Sequence, residues 1–494
     1  MTTASKSGDA PATTTQELVD EARSSTIAQV LWLADPKVPA LTDEQSSQVL
    51  ELLRDSPVEW DESGDALLNE LDGKLTKNIN ASVSAVLHHP TVAGLRRRWS
   101  AVEQLFAEPN LPPDFHLNIL QATLAGLNSQ LRAVGGDIEK TPVYKHLALA
   151  AYGSIPYLAV DFDYTLGETK QDMDLLHLAG RLGEKGMFMS LVNIGPQFLK
   201  LDDFIDLPTD GKSVRALFKT QAMTPYDEFR KQSYARFVAP CFPAAYTVTP
   251  FSADDNPAEG FDDFTEAINA ETDLVPVGAA AEMLHCIARS IGTTGWPAAI
   301  VGEDWGGKIA GSVVRDFSTA TGEERSNATT QMVIHETIEL PLMENGITAL
   351  VAKLHSTIAT FFAGVTASRV ILGLDPKKSR ESAMAASLPN MLVTLRFSHY
   401  LKALHRKLLG TQKNPEQVES ELQTWANRLV LDQDNASDKA KGDRPFRSIL
   451  VKVQPNPNLP GYLSVGVTVV PHFRVSAVQG AITIAANPAG ADDD

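Results

Sequence analysis

SLPNMLVTLRFSHYLKALHRKLLG, residues 387–410, reads as a helix with more than one face to bury. Val393, Phe397, Tyr400, Leu401, Leu404 and Leu408 recur at steps of three and four and draw an apolar stripe along one side. Leu388, Leu392 and Leu395 add a second apolar side to the first half, so that half is expected to be the more deeply buried. Arg396, His399, Lys402 and Arg406 form a basic stripe largely opposite the first. Ser387 with Pro389 suits a helix start, and His405, Arg406 and Lys407 before Gly410 suit an end, since cations favour the negative pole and glycine tolerates the left-handed cap.

Downstream, Leu422, Trp425 and Leu429 mark another amphipathic segment, and residues 432–443 form a polar linker. Three strands close the chain: Ile449, Val451 and Val453 alternate in the first, Leu463, Val465, Val467 and Val469 in the second, and Ile482 and Ile484 belong to the third. The turn-rich PNPNLPG between the first two makes this a β-meander. Upstream, residues 61–106 are helical, with a break expected at Pro90. Between about residues 140 and 310 apolar runs alternate with helical patterns. Residues 157–160, 187–192 and 297–301 read as buried strands, residues 213–218 and 277–291 as helices, and 254–273 as an acidic loop. Residues 1–15 are polar, Gln16 to Leu33 is a short amphipathic helix candidate, and Val58, Glu59 and Trp60 read as a brief extended piece.

The expected architecture is mixed α/β: an N-terminal helical arm (1–60), an α/β core (61–385), and a C-terminal region (386–494) of long helix, β-meander and acidic tail. With 494 residues and 43% hydrophobic content, there is ample material for more than one core. A formal charge of −18, from 61 acidic against 43 basic residues, opposes binding to nucleic acid or an anionic membrane. Cys241 and Cys286 are the only cysteines, too few for a disulfide scaffold. Residues 347–374, the most apolar long region, are interrupted by Lys353, His355 and Arg369, and the N-terminus lacks the order of a secretory signal. A cytoplasmic protein is expected.

Three near-motifs bear on catalysis. Asp161-Phe-Asp163-Tyr-Thr165 follows an apolar run and matches the DxDxT of haloacid-dehalogenase-like phosphohydrolases, in which the first carboxylate attacks phosphorus and the second is the acid/base beside magnesium. Ser190 could supply the hydroxyl such a site needs. Lys200, Asp202 and Asp203 then follow too closely to leave room for the intervening strands, so a strand end with turn-capping carboxylates competes with the enzymatic reading. Gly302 to Lys308 has the spacing of a phosphate loop, but Ile309 stands where the metal-binding Ser or Thr belongs, which favours a Gly-rich turn. His335-Glu336-Thr-Ile-Glu339 lacks the second His of a zinc helix and reads as a strand or strand end. The residues call for no metal and no cofactor, and the expectation is a non-enzyme; the alternative is a magnesium-dependent phosphohydrolase using Asp161 and Asp163.

Several blocks, in order from about residue 61 to 486, resemble the large subunit of the type VI secretion contractile sheath, the TssC/VipB family. They are LHHPTVAGLRRRWSAVEQLF (87–106), IPYLAVDFDYTL (155–166), FMSLVNIGPQFLKLDDFIDLP (188–208), GWPAAIVGEDWGG (295–307) and RFSHYLKALHRKLLG (396–410). LQTWANRLV (422–430), RPFRSILVKVQPNPNLPGYLSVGVTVVPHF (444–473) and the last strand follow. Val160 replaces the Gly before the strand's Asp, and residues 239–275 keep Pro240 and Pro243 but little else of a leucine-rich block.

The resemblance implies a structural protein of an injection machine. It would pair with a small sheath subunit of the TssB/VipA type, polymerise with other copies of itself into a helical tube around the Hcp inner tube, and contract to drive that tube outward. The baseplate and the ClpV disassembly ATPase are further implied partners, with Leu18, Val19 and Glu21 in the helix ClpV would read. An arm that adds a strand to a neighbour's sheet can hold subunits together while its linker swings. Val58, Glu59 and Trp60 are the expected donated strand. Ile449, Val451, Val453, Leu463, Val465, Val467 and Val469 form the expected acceptor. Phe397, Tyr400, Leu401, Leu404 and Leu408 lie on the helix that would tie core to mesh.

Overall fold

The structure, a computed structural model, describes residues 65–148 and 156–486 other than 262, 270, 312, 314–316, 319–323, 326–327, 354–355, 372–374, 409–413, 434, 456–462 and 473–481. The described residues fall into two units, 65–92 with 250–273, and 93–249 with 274–486.

The first unit holds helix α1 (Asp65–Leu87). Pro90, whose ring fixes a helical φ and lacks the donor that a first turn leaves unused, ends up as the first residue of α2 (Pro90–Phe106), so the break falls where it was expected. The acidic stretch is a loop with two isolated bridges, Ser252↔Asn256 and Ala258↔Phe261. Polar contacts tie it to the end of α1. Ser84 Oγ accepts the Ala267 amide at 2.9 Å, and the His88 ring lies 3.0 Å from Glu266 Oε1 and 3.6 Å from Asp273 Oδ1.

The second unit is built on a parallel sheet of β1 (Ala159–Leu166), β2 (Met189–Ile194), β3 (Val238–Phe242) and β4 (Thr348–Ala349), in that spatial order. Parallel strands are covered on both faces, and the near-continuous burial of MSLVNI and VAPCF follows from that. One face packs Phe162, Val192, Val238 and Phe242 against Leu175, Leu176, Leu178 and Leu182 of helix α3 (Lys170–Gly186). The other packs Met189, Leu191, Ala239 and Cys241 against Met283, Cys286 and Ile287 of α4 (Ala279–Thr294). Helix α4 starts at Gly278, which has no side chain to cap it; Asn193, at the end of β2, reaches over and its Oδ1 accepts the Ala280 amide at 2.9 Å.

The C-terminal helix is α5 (Leu388–Leu408), followed by α6 (Pro415–Asn427), which begins with a capping box formed by Asn414 and Gln417. The meander consists of β5 (Phe446–Pro455), β6 (Leu463–Pro471) and β7 (Ile482–Ala486), antiparallel and in sequence order. The observed class is the mixed α/β one read from the sequence.

Four local readings are corrected. The first strand begins at Ala159 and runs through Leu166, because DFDYTL continues the pairing with β2 across a shift between Phe162 and Thr165; Asp161 and Asp163 therefore lie inside a strand. Residues 297–300 are buried and Val301 is half-buried, but the segment forms no strand. The segment after His335 is a helix, Glu336–Glu344, with Pro341 inside it; burial of Ile338 and Leu342 overrides the β-branched local signal. The polar linker contains a short helix, Asp438–Asp443, capped by Ser437.

Candidate functional site

Helix α5 belongs to two cores at once. Leu388, Met391, Leu392 and Leu395 pack with α4 on the parallel sheet. Val393, Phe397 and Leu401 instead pack with Val418, Leu422 and Ala426 of α6 and with Ile449, Val451, Val453, Val465, Val467 and Val469 of the meander. The two apolar sides seen in the sequence thus face two different partners. An aromatic cluster marks the joint: Phe397 stacks on Trp425 (5.3 Å between ring centroids) and meets Phe446 edge-on (5.2 Å), and Trp296 meets Phe446 (5.6 Å) and Tyr400 (5.9 Å).

Leu404 and Leu408 are half-buried against this second cluster. Tyr400 is 43% exposed, and the Arg396 guanidinium sits 5.3 Å from its ring centroid. The basic stripe divides. The His399 ring is largely buried and donates to the Met187 carbonyl at 2.8 Å; burial, with Lys402 and Arg396 nearby, pushes its pKa down to about 4. Lys402 is also shifted down by burial, whereas Arg406 is exposed.

Strand β5 turns Ile449, Val451 and Val453 to the helices and Ser448, Leu450, Lys452 and Gln454 to the outside. In an antiparallel ladder alternate residues send both backbone groups to the same side. Those of Ile449, Val451 and Val453 point away from β6 and meet α6. Gln423 Nε2 donates to the Ile449 carbonyl at 2.9 Å, its Oε1 accepts the Val451 amide at 2.9 Å, and Glu419 Oε2 accepts the Val453 amide at 2.8 Å. Nearer the start of the strand, the Leu431 amide donates to the Phe446 carbonyl at 2.9 Å. The sequence reading missed Glu419 and Gln423; their only signal was an i, i+4 pair of acceptors on the polar face of an amphipathic helix.

The near-motifs resolve into structural contacts. Arg97 reaches Asp163 Oδ1 at 2.9 Å and Arg98 reaches Oδ2 at 2.6 Å, so both carboxylate oxygens are engaged. Asp161 Oδ1 is shielded from solvent without a hydrogen-bond partner, and burial together with the Asp163 charge raises its pKa to about 7, with Arg97 opposing. A nucleophilic carboxylate needs the opposite bias. Gly302 and Gly306 adopt positive φ (85° and 105°) in a turn held by Phe361, whose carbonyl accepts the Gly302 amide at 2.7 Å, and Lys308 enters a two-residue strand rather than a helix. His335 precedes the helix Glu336–Glu344. No group of three His, Cys, Asp or Glu side chains is placed to hold a metal among the described residues. Among the same residues no helix is long and apolar enough to cross a membrane.

Val58, Glu59, Trp60, Leu18, Val19 and Glu21 lie outside the described residues.

Comparison with known proteins bears directly on this arrangement. Residues 65–368 match the EvpB/VC_A0108 tail sheath N-terminal domain (VipB), and residues 377–487, which hold α5, α6 and the meander, match the EvpB/VC_A0108 tail sheath gpW/gp25-like domain. The type VI secretion system sheath protein TssC1 of Pseudomonas aeruginosa is 23% identical over 420 residues, 84% of this chain and 83% of the relative. Two sheath domains in order over most of the chain, with a helix shared between the parallel sheet and the meander, place it in the VipB/TssC family of type VI secretion tail-sheath proteins.

Proposed function

We propose that this chain is the large subunit of a type VI contractile sheath, a cytoplasmic structural protein and not an enzyme. It pairs with a small sheath subunit of the TssB/VipA type and polymerises around an Hcp inner tube, and contraction of the tube drives the inner one into a target cell. The observation that carries the reading is the pair of sheath domains along residues 65–368 and 377–487, the second of which ends in the antiparallel meander. A sheet with an accessible edge binds an extended segment through backbone hydrogen bonds, which hold their geometry while the tether bends. In this account Val58 to Trp60 is the donated strand, and α5 transmits load between the parallel sheet and the meander. Tagging the small subunit and co-expressing both chains tests the pairing. A stable complex that retains this chain is expected, and deleting residues 1–60 should leave that pair intact while abolishing long assemblies. Elution of this chain alone, with the small subunit folded, contradicts the proposal.

A further inference from the structure

Helix α5 carries Arg396, Lys402, Arg406 and Lys407 and no Asp or Glu, in a chain whose formal charge is −18. Arg396, Tyr400, Ala403 and Lys407 stand at i, i+4, i+7 and i+11 and form one stripe, distinct from the leucines that face the two cores. Tyr400, Ala403 and Lys407 are exposed, so the stripe opens to solvent. The Arg396 guanidinium lies 6.0 Å from the Trp296 ring centroid and 5.3 Å from that of Tyr400, and its Nε is shielded from solvent with no hydrogen-bond partner. Neither Arg396 nor Lys407 forms an ion pair among the described residues. A guanidinium that rests on ring faces keeps its planar donor edge for a carboxylate.

The register of the meander brings the end of β7 towards this helix. Ala486 pairs with Val465, and Val465 with Val453. The Val453 amide is held by Glu419, in the first half of α6, which follows the end of α5 after residues 409–414. Ala486 therefore lies towards the C-terminal end of α5, and β7 comes within 8 Å of α5 between Cα atoms. Beyond it, residues 475–494 hold Asp492, Asp493 and Asp494 and no Lys or Arg. The six steps from Ala486 to Asp492 span up to roughly 20 Å, and Lys407 to Arg396 is roughly 16 Å along the helix. We propose that Asp492, Asp493 and Asp494 lie along the stripe of their own chain, with their carboxylates on Arg396 and Lys407, and cover it against other acidic chains. A tethered segment acts at an effective concentration on the order of millimolar, so a free acidic peptide or the acidic surface of another copy competes poorly until the tail is displaced. The contact lies within one chain and does not depend on assembly.

The test uses the full-length chain. A water-soluble carbodiimide joins a carboxylate to a lysine amine with loss of water, and peptide mass spectrometry locates the link. Asp492, Asp493 or Asp494 should couple to Lys407 at low salt, and the link should fade at about 1 M salt, where the Debye length is about 3 Å. Absence of a link to Lys407, or links spread evenly over the other exposed lysines, would overturn the stripe as the tail's seat. With isotope-labelled and unlabelled chains mixed, links that join the two kinds would overturn the same-chain occupant. A fluorescent hexa-aspartate peptide reads the shielding. Deleting residues 487–494 should tighten its binding about tenfold, and Arg396→Gln with Lys407→Gln in the shortened chain should abolish the gain. Should Arg396→Gln fail to fold, Lys407→Gln alone, on an exposed side chain, still has to weaken the gain. No gain on deletion would show that the tail does not cover the stripe, and a gain that survives the substitutions would place the peptide's site elsewhere.

Discussion

The His399 Nε2–H donates to the carbonyl of Met187, 2.8 Å away, and so joins the middle of α5 to the residue that ends α3. Met187 is left-handed (φ 58°), one of two such non-glycine residues in the described chain, and its amide closes the last turn of α3 on Gly183. The long helix is thus bolted to the parallel sheet by a polar contact as well as by its leucines. Burial disfavours the charged form of the ring and opposes the Met187 hydrogen bond, which alone would favour it.

The linkage sign for His399 is that of a depressed pKa. Its stabilisation is complete above the unfolded value of about 6.5 and is lost as pH falls towards its folded value of about 4, a loss of roughly 3 kcal/mol at full effect. His399→Gln keeps a donor and removes the titration. Urea unfolding at pH 7 and pH 4.5 should show a smaller acid loss in the variant than in the parent; equal losses would mean that the ring is not buried in its neutral form.

Glu282 acts in the opposite direction. Burial raises its pKa to about 7, against the Thr247 hydroxyl, which donates to it at 2.7 Å, and the Arg289 charge. The folded state holds this proton between roughly pH 4.5 and 7 while the unfolded chain releases it, so stability declines across that window. Glu282→Gln should remove the decline and be more stable than the parent at pH 8, by roughly 1–3 kcal/mol. A variant less stable at pH 8 would show the ionised carboxylate to be favoured in the fold.

Asn193→Ala strips the borrowed cap from α4 and should cost about 1–2 kcal/mol. Gly278→Ala should also destabilise the parent, because a Cβ there meets the Asn193 amide at 2.6 Å. Combining the two removes the clash, so a double-mutant cycle should give a coupling on the order of 1 kcal/mol, with the double variant less affected than the sum of the singles. Strict additivity would contradict the contact.

Phe397 is fully buried where α5, α6 and β5 meet. Phe397→Ala should cost about 3–5 kcal/mol. Hydrogen exchange should locate the damage: protection falls in β5 and β6 and persists in β1 to β3, since Phe397 touches the meander core and not the parallel sheet. Uniform loss of protection would mean that the two cores unfold as one.

Where sidechain pattern and backbone agree, the chain was legible. The apolar stripe of α5, the break at Pro90, the alternation in β5 and β6 and the meander all follow from period and turn chemistry. What escaped were features set by residues distant in sequence. Residues 297–301 carry a strand's composition and are mostly buried, but have no ladder to join. Ile338 and Leu342 are drawn into the core on helical spacing despite β-branched neighbours. Gln423 and Glu419 looked like ordinary solvent-facing residues of α6, and only the three-dimensional approach of β5 gives them backbone partners. The carboxylates of DFDYTL looked catalytic in isolation, and Arg97 and Arg98, more than sixty residues earlier, make Asp163 a structural anion.

The most direct test of the sheath account is electron microscopy of this chain co-expressed with the TssB/VipA-type small subunit from the same source, beginning with negative stain. The account predicts hollow tubes with cogwheel cross-sections. A complex of the two chains that stays soluble and never forms tubes would contradict it.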